Sequence, residues 1–479
     1  MLPKIKEITN GLPSLEKVII VASKEESYSK DISGIRNSCF LKDFLQEGLN
    51  KDGTVPELVF EQVSFQHPLF ISYTSGTTGL PKALVHGCGM ILSSFKDFHF
   101  HTDCTRESVW FSMSPVGWGT WCLCLTLHFI GHTMSIFEGV PYFINPKFFW
   151  NLVEEHRITH LYLPTGIADE LKKRKYAPME EHKISHMFLP TSIVEQLFKR
   201  NDTPTKENLK YLKCMMAGGS VVKPELYDFL YKNLKKDIPF ASSFGATEFL
   251  GSSMLIDTNL PIHRGEIPAI ALASDIYTVN NKGDRVIGEL GELVLGKAMP
   301  NLPLGIWKDE DGSVMKEKYF SKYSEKFSMG DYAIINPITN GTIICCRSDE
   351  TLKQRGCRFG SSEIYGVLDG FPEVGDSICV SKYSQKMDES AVLFLKMSDG
   401  YVFNTGLVDR IRKAIAETLT PRHVPDIILE TKDIPYNINS KKMEITVKKI
   451  INNKPYNADS IRNPQCLKYY SNLPELDID

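Results

Sequence analysis

The chain has 479 residues, 42% of them hydrophobic and 24% charged, and a formal net charge of −3 from 55 basic and 58 acidic side chains. That length predicts more than one domain, and the balance is that of a globular protein rather than a disordered or fibrous one. A nearly neutral surface gives no reason to expect nucleic acid or an anionic membrane as a partner.

At the N-terminus Lys4 to Thr9 reads as the end of a helix, and Lys4, Lys6, Glu7, Glu16 and Lys17 break up the apolar core that a secretory leader would need. Lys17 to Ala22 (KVIIVA) predicts a short strand of the buried parallel type, which needs neighbours on both sides. Nothing upstream supplies one, so the chain is expected to begin inside an α/β unit. Phe70 to Tyr73 predicts an apolar strand that breaks into the loop Thr74 to Lys82, TSGTTGLPK. Gly76 and Gly79 let the backbone turn tightly and aim its N–H groups at one anion. Ser75, Thr77 and Thr78 add hydroxyl donors, and Lys82 adds a point charge. A loop rich in donors and free of acids suits a polyphosphate. Its glycine spacing is not that of the GxxxxGK[ST] loop of P-loop NTPases. By itself such a loop is also compatible with a flexible surface turn.

Strand-like and helical stretches then alternate. Ser108 to Met113 predicts a strand, Ser114 to Gly119 a loop, Trp121 to His132 a buried helix and Thr133 to Phe137 a strand. Pro146 to His156 is an amphipathic helix and Thr159 to Leu163 a strand; Asn208 to Met216, the run Ala217-Gly218-Gly219-Ser220 and a helix from about Lys223 to Leu234 repeat the pattern. Alternation of this kind predicts an α/β class with a mainly parallel sheet under covering helices. From about Arg264 hairpins take over: Ile276 to Val279, a turn at Asn280 to Gly283, Glu289 to Leu295, then Tyr332 to Ile335 and Thr342 to Cys345. Arg347 to Glu350 ends a strand and reads as a linker. Helices at Ser361 to Leu368 and Thr405 to Thr418, with strands at Asp376 to Ser381 and Ala391 to Lys396, predict a separate small α+β domain. The expected division is a large α/β domain, 1–346, incomplete at its N-terminus and carrying a β-rich subdomain, and a small domain, 347–479. No apolar run reaches the ~20 residues that span a bilayer. The 11 cysteines are odd in number and lack zinc-site spacing, which predicts reduced thiols in the cytosol.

Four further strings carry chemistry. Ser242 to Glu248 (SSFGATE) ends in a carboxylate, and one carboxylate is enough for a hard cation that keeps its waters and takes phosphate oxygens. Phe327 to Tyr332 (FSMGDY) offers Asp331, whose two acceptor oxygens match a vicinal diol; a turn aspartate after glycine is the alternative. Cys346 to Glu350 with Lys353, Gly356, Arg358 and Glu363 sets two arginines in order, and Ile434 to Lys442 ends in two lysines.

In this order the five strings resemble the signatures of the AMP-forming adenylating enzymes, the superfamily of acyl-CoA synthetases, luciferases and peptide-synthetase adenylation domains. The resemblance implies ATP binding by Thr74, Ser75, Gly76, Thr77, Thr78, Gly79 and Lys82, and by Gly218, Gly219 and Ser220. It implies catalytic roles for Thr247 and Glu248, with Glu248 placing Mg²⁺, and a ribose contact for Asp331. Arg347 and Arg358 would meet the nucleotide phosphates, Asp349 would be the hinge, and Lys441 would be the catalytic lysine, stabilising charge on the α-phosphate and carboxylate oxygens. Ala83, Cys346 and Ser440 stand where the family tends to have glycine, and Ala273-Ser274 where a subgroup tends to have Leu-Gly.

That subgroup activates acetoacetate, and the strings Arg355 to Tyr365, Pro421 to Pro425, Ile428 to Lys432, Leu473 to Leu476 and Arg264 to Ile267 resemble it. Acetate-activating relatives carry a tryptophan in the Thr-Glu motif; Gly245 at that position would leave room for a longer acyl group. Trp118 is a candidate pocket residue through its indole N–H, and an ordinary core tryptophan fits equally well. The implied co-substrates are ATP and coenzyme A, with no obligate protein partner. Alternatives are a ligase for another short or medium acyl chain, and a silent fragment that still binds nucleotide, since relatives begin with an N-terminal section this chain lacks.

Overall fold

The computed structural model describes residues 2–22, 24–74, 82–114, 116–117, 119–137, 146–162, 183–200, 210–219, 221–233, 236–347, 352–354, 357–383, 389–437, 441–458 and 461–476. The chain divides into two compact units, Met1–Ser64 and Phe65–Asp479.

The first unit holds α1 (Leu2–Asn10), β1 (Val18–Ile20), β2 (Ser38–Phe40) and α2 (Leu41–Glu47). β1 pairs parallel with β2, Val18 opposite Ser38. The expectation of a buried strand at 17–22 is corrected here. Ile19 is 39% and Val21 61% exposed, and among the described residues of this unit only Thr9, Ile35 and Phe40 are buried. A three-residue strand paired on one side only leaves apolar side chains open to water.

The second unit opens with an antiparallel hairpin, β3 (Pro68–Tyr73) and β4 (Ala83–Gly87), in which Tyr73 pairs with Ala83. After α3 (Gly89–Phe95) come β5 (Val109–Ser112), α4 (Gly119–Leu127), β6 (Thr133–Ser135), α5 (Pro146–Glu155), β7 (His160–Tyr162), β8 (His186–Pro190), α6 (Thr191–Arg200), β9 (Cys214–Gly218), α7 (Pro224–Asn233) and β10 (Phe240–Ser242). Their six strands form one parallel sheet in the order β10-β9-β8-β7-β5-β6. Phe149 and Val153 of α5, Val194 of α6 and Leu226 and Phe229 of α7 bury themselves against Phe111, Leu161, Met187 and Met215 of the sheet. This is the expected parallel sheet. The sequence reading lacks β8 and α6, because a five-residue apolar run ending in proline has no periodicity of its own.

The β-rich part follows with β11 (Phe244–Ala246), β12 (Gly251–Leu255), β13 (Ala269–Ile270), β14 (Ile276–Val279), β15 (Arg285–Val286), β16 (Gly291–Leu295), β17 (Gly305–Ile306), α8 (Ser313–Phe320), β18 (Phe327–Ile335) and β19 (Thr342–Arg347). β14 turns back at Asn280–Asp284, where Gly283 takes φ +85°, as the hairpin reading expects. The larger sheet runs β15-β14-β16-β18-β19, and β17 joins the β3–β4 hairpin on the free side of β4.

Residues beyond 347 form β20 (Leu352–Gln354), β21 (Cys357–Phe359), α9 (Ser361–Leu368), β22 (Val374–Tyr383), β23 (Glu389–Met397), α10 (Thr405–Thr418), β24 (Ile427–Glu430) and α11 (Glu444–Ile451). The sheet β22-β23-β24 is buried on both faces, and the period of two is plain. Ile378, Val380, Val392 and Phe394 face a core with Val447 and Ile450 of α11. Cys379, Ala391, Leu393 and Leu395 face the opposite core with Ile364 of α9 and Ile411 of α10. No helix among the described residues is long and apolar enough to cross a membrane.

Candidate nucleotide and acyl site

The phosphate-loop candidate spans the tip of the β3–β4 hairpin. Its base is closed twice: the Thr74 N–H donates to the Lys82 carbonyl at 2.9 Å, and the Lys82 N–H donates to Thr74 Oγ1 at 3.2 Å. Thr74 is buried and Lys82 half-buried. Ser75, Gly76, Thr77, Thr78 and Gly79 lie outside the described residues.

One hydrophobic cluster ties this hairpin to the next two motifs. Leu84 of β4, Phe249 just after the Thr-Glu pair, Tyr319 of α8, and Phe327 and Met329 of β18 bury one another. Three segments distant in sequence therefore share one rigid support. Thr247 and Glu248 occupy the turn between β11 and β12. Glu248 Oε1 accepts from the Tyr319 hydroxyl at 3.1 Å and lies 3.9 Å from Lys318 Nζ. Tyr319 stacks on Phe327, centroids 4.5 Å apart and planes 9° from parallel. A short chain of contacts thus runs from the carboxylate of one motif to the first aromatic of the other. The sequence reading missed Lys318 and Tyr319, and nothing in their local pattern marks them.

Asp331 sits inside β18 rather than in a turn, so the turn-aspartate alternative does not hold. Gly330 takes φ +79°, and the register shift between Tyr332 and Ala333 leaves Asp331 opposite Arg347 of β19. Asp331 is buried. The side chains of Arg347 and Arg358 lie outside the described atoms, and Asp349, Ser220 and Trp118 outside the described residues. Gly218 ends β9, and a Cβ there would come within 2.8 Å of Ser243 Oγ; Gly219 takes φ +90°. With the Ser243 N–H donating to the Ala217 carbonyl at 2.9 Å, the Gly-Gly run is held against the start of the Thr-Glu motif. Gly245 lies in β11 where the pairing with β12 is irregular, and a Cβ there would stand 2.5 Å from the Gly251 carbonyl oxygen. Glycine is thus required by a close backbone approach, whatever lies in front of it.

Behind this turn lies His86 of β4, also missed from sequence. Its ring is fully buried and neither nitrogen has a hydrogen-bond partner. Burial pulls the imidazole down to about 4. It is therefore neutral near pH 7.

Lys441 lies two residues before Met443, which belongs to a separate core with Ile434 and Val447. Its side chain is exposed; its N–H donates to Asn437 Oδ1 at 2.9 Å, and its carbonyl accepts from the Asn437 N–H at 2.9 Å. The neighbouring Lys442 behaves oppositely. Its ammonium pairs with Asp376 Oδ1 at 2.8 Å, donates to the Ser377 carbonyl at 2.5 Å and sits 4.1 Å from the centroid of the Tyr365 ring. Burial works to raise the Asp376 carboxyl, but Lys442 and the Tyr436 hydroxyl, donating to Oδ2 at 2.7 Å, outweigh it and hold the group below the usual carboxylate range. Glu444, itself buried, is pushed up by that burial despite Lys442, and accepts from the Tyr365 hydroxyl at 3.1 Å.

No group of three His, Cys, Asp or Glu side chains among the described residues could hold a metal by itself. A single, mostly shielded carboxylate at Glu248 fits a divalent cation that arrives on nucleotide phosphates and keeps several waters.

Comparison with known proteins agrees with these observations. Residues 6–307 match the family model described as AMP-binding enzyme. An acetoacetyl-CoA synthetase of Gallus gallus is 37% identical over 477 residues, covering 99% of this chain and 68% of that protein. An acetoacetyl-coenzyme A synthetase of Rhizobium meliloti is 30% identical over 88% of this chain and 61% of its own length. Among solved structures, the acetoacetyl-CoA synthetase from Streptomyces lividans superposes with a TM-score of 0.79 at 27% identity, over 98% of this chain and 67% of that one.

Proposed function

Because this chain belongs to the AMP-binding enzyme family, we propose that it is an acid–thiol ligase that converts acetoacetate, ATP and coenzyme A into acetoacetyl-CoA, AMP and pyrophosphate. The observation that carries this reading is the shared cluster of Leu84, Phe249, Tyr319, Phe327 and Met329, which sets the phosphate-loop hairpin, the Thr247–Glu248 turn and the Asp331 strand on one support. Similarity to acetoacetyl-CoA synthetases along 99% of the chain supports acetoacetate as the acid.

The reaction has two steps. A carboxylate oxygen of acetoacetate attacks the α-phosphorus in line, the bond to the bridging oxygen of pyrophosphate breaks, and acetoacetyl-AMP remains. The coenzyme A thiol then loses its proton and attacks the acyl carbonyl, and AMP leaves with the electron pair of the mixed anhydride bond. Dividing one hard condensation into two easier displacements is the purpose of the intermediate. In the first step Thr74 and Lys82 hold the phosphates with Ser75, Gly76, Thr77, Thr78 and Gly79. Gly218, Gly219 and Ser220 border the nucleotide, Asp331 accepts the ribose hydroxyls, and Arg347 and Arg358 meet the phosphates. Lys441 stabilises the charge that develops between α-phosphate and carboxylate. Glu248, beside Thr247, would hold Mg²⁺, which when bound neutralises phosphate charge. Residues 347–479 then turn about Asp349 and withdraw Lys441 before the thiol enters. Trp118 and Gly245 border the acyl group, and the cytosol is the setting.

The test is pyrophosphate release by the purified chain with Mg·ATP and, in parallel, acetoacetate, acetate, butyrate or octanoate. The expected result is release selective for acetoacetate and reduced about 10²–10³-fold by Lys441→Ala, the usual cost of removing one group that stabilises developing charge. Selectivity for butyrate or octanoate would favour a ligase for a longer acid, the second reading that Gly245 permits. No release with any acid, from folded protein, would leave a nucleotide-binding chain without ligase activity.

A further inference from the structure

Two ammonium groups stand side by side at Lys441 and Lys442, and on charge alone either could serve the transition state. Their surroundings differ. In an extended segment successive side chains point to opposite faces, and Lys442 forms an isolated antiparallel bridge with Tyr436 while the Met443 N–H donates to the Pro435 carbonyl at 3.0 Å. Lys442 is held on three sides, by the Asp376 carboxylate, the Ser377 carbonyl and the face of Tyr365. Asp376 is itself fixed by the Tyr436 hydroxyl and by the Ser377 N–H, which donates to Oδ1 at 2.8 Å. Tyr365 is fixed in turn by the Cys379 N–H at 2.9 Å and by Glu444. Every member of this network belongs to residues 365–444, on the same side of the proposed hinge at Asp349 as Lys441.

We infer that Lys442 and Asp376 are positioning residues for the adenylation step: their ion pair fixes the face on which the 441–442 pair is presented, and so determines that Lys441, not Lys442, is offered to the substrate. This rests on the reading of Lys441 as the catalytic lysine. A half-buried ion pair of this kind is a weak source of stability, because desolvation cancels most of the attraction. Its worth lies in excluding the alternative register. With the anchor gone, the loop can turn by one residue and the ammonium is misplaced by several ångströms, and a 1 Å error can cost about a hundredfold in rate.

The experiment compares Lys442→Met, Lys442→Arg, the double variant Asp376→Leu with Lys442→Met, and Lys441→Ala, reading kcat and KM for pyrophosphate release together with the melting midpoint. The double variant replaces the pair by apolar side chains and keeps the fold without stranding a charge. The expected result is kcat lowered about ten- to a hundredfold in Lys442→Met and in the double variant. KM should stay within about twofold and the melting midpoint of the double variant unchanged, as for an interaction that matters only in the transition state. Lys442→Arg should recover most of the rate. Wild-type kcat in a normally melting double variant, with Lys441→Ala inactive, would overturn the positioning role and leave the reading of Lys441 intact. A kcat loss that only tracks a lowered melting point, without recovery in Lys442→Arg, would overturn it as well. Wild-type turnover by Lys441→Ala would remove the premise, and the positioning role with it.

Discussion

Gly245 carries a backbone constraint that its sequence reading did not include. Its lack of a side chain reads from the sequence as room for an acyl group, while the backbone shows a second constraint, the Gly251 carbonyl 2.5 Å from where a Cβ would stand. Gly245→Ala is therefore expected to destabilise the chain by about 1–3 kcal/mol, the usual cost of overpacking. A chemical-denaturation midpoint indistinguishable from wild type would show that β12 yields freely. At this scale the residues singled out from sequence were those whose pattern lies in their order: Thr74, Lys82, Glu248, Asp331 and Lys441 are each ordinary alone and resemble a signature only as a series. Tyr319 and the Asp376–Lys442 pair were not legible, because each makes its contacts far along the chain, as Tyr319 does with Glu248, 71 residues away; His86 was not, because only the tertiary structure buries it.

The strands of the parallel sheet carry a less expected feature. His160 of β7 and His186 of β8 stack face to face, centroids 4.3 Å apart and planes 5° from parallel, with Trp110 of β5 against the outer face of His160. The Thr159 and Ser185 hydroxyls each lie 2.9 Å from the adjacent Nδ1, and His160 Nε2 lies 3.3 Å from the Thr102 carbonyl. Burial, with the neighbouring imidazole, pulls His160 down to about 3, while Asp103 works weakly upward and His132 downward. Burial, with Lys213, pulls His186 down to about 4. In the unfolded chain both titrate near 6.5. Between that value and about 4 the unfolded state binds more protons, so folding stability falls as pH is lowered through this window. The two groups together set a slope of up to about 2.7 kcal/mol per pH unit. Urea midpoints measured from pH 7 down to pH 5 should drop accordingly, and drop less steeply in His186→Leu. A midpoint constant over that range would refute the assignment of both rings as buried and neutral. The sequence placed a strand at Thr159 to Leu163 and none at His186, because the pairing that makes β8 a strand comes from its neighbours on the sheet rather than from its own five residues.

For the whole molecule, the difference between the two units is one of core. The second unit buries several clusters, whereas the first buries only Thr9, Ile35 and Phe40 among its described residues and leaves Val55, Leu58, Val59 and Phe60 more than 70% exposed. So little buried area cannot offset the conformational entropy of 64 residues. Residues 1–64 made as a separate peptide should show a random-coil far-UV circular dichroism spectrum with no cooperative melting; a sigmoidal transition would contradict this. What the sequence determined by itself was the class of chemistry and the class of fold. Donor-rich loop, Thr-Glu, Gly-Asp, paired arginines and terminal lysine carry their meaning in order and spacing, and alternating apolar stretches impose a parallel sheet under helices. Only the tertiary structure decided how those strings cooperate. Burial placed Leu84, Phe249, Tyr319 and Phe327 in one cluster beneath three motifs. A half-buried ion pair gives two neighbouring lysines different surroundings, Lys442 paired and Lys441 exposed. The physical reason is common to both cases: packing and desolvation depend on which groups meet in space, and that is set by long-range contacts, which local pattern does not encode.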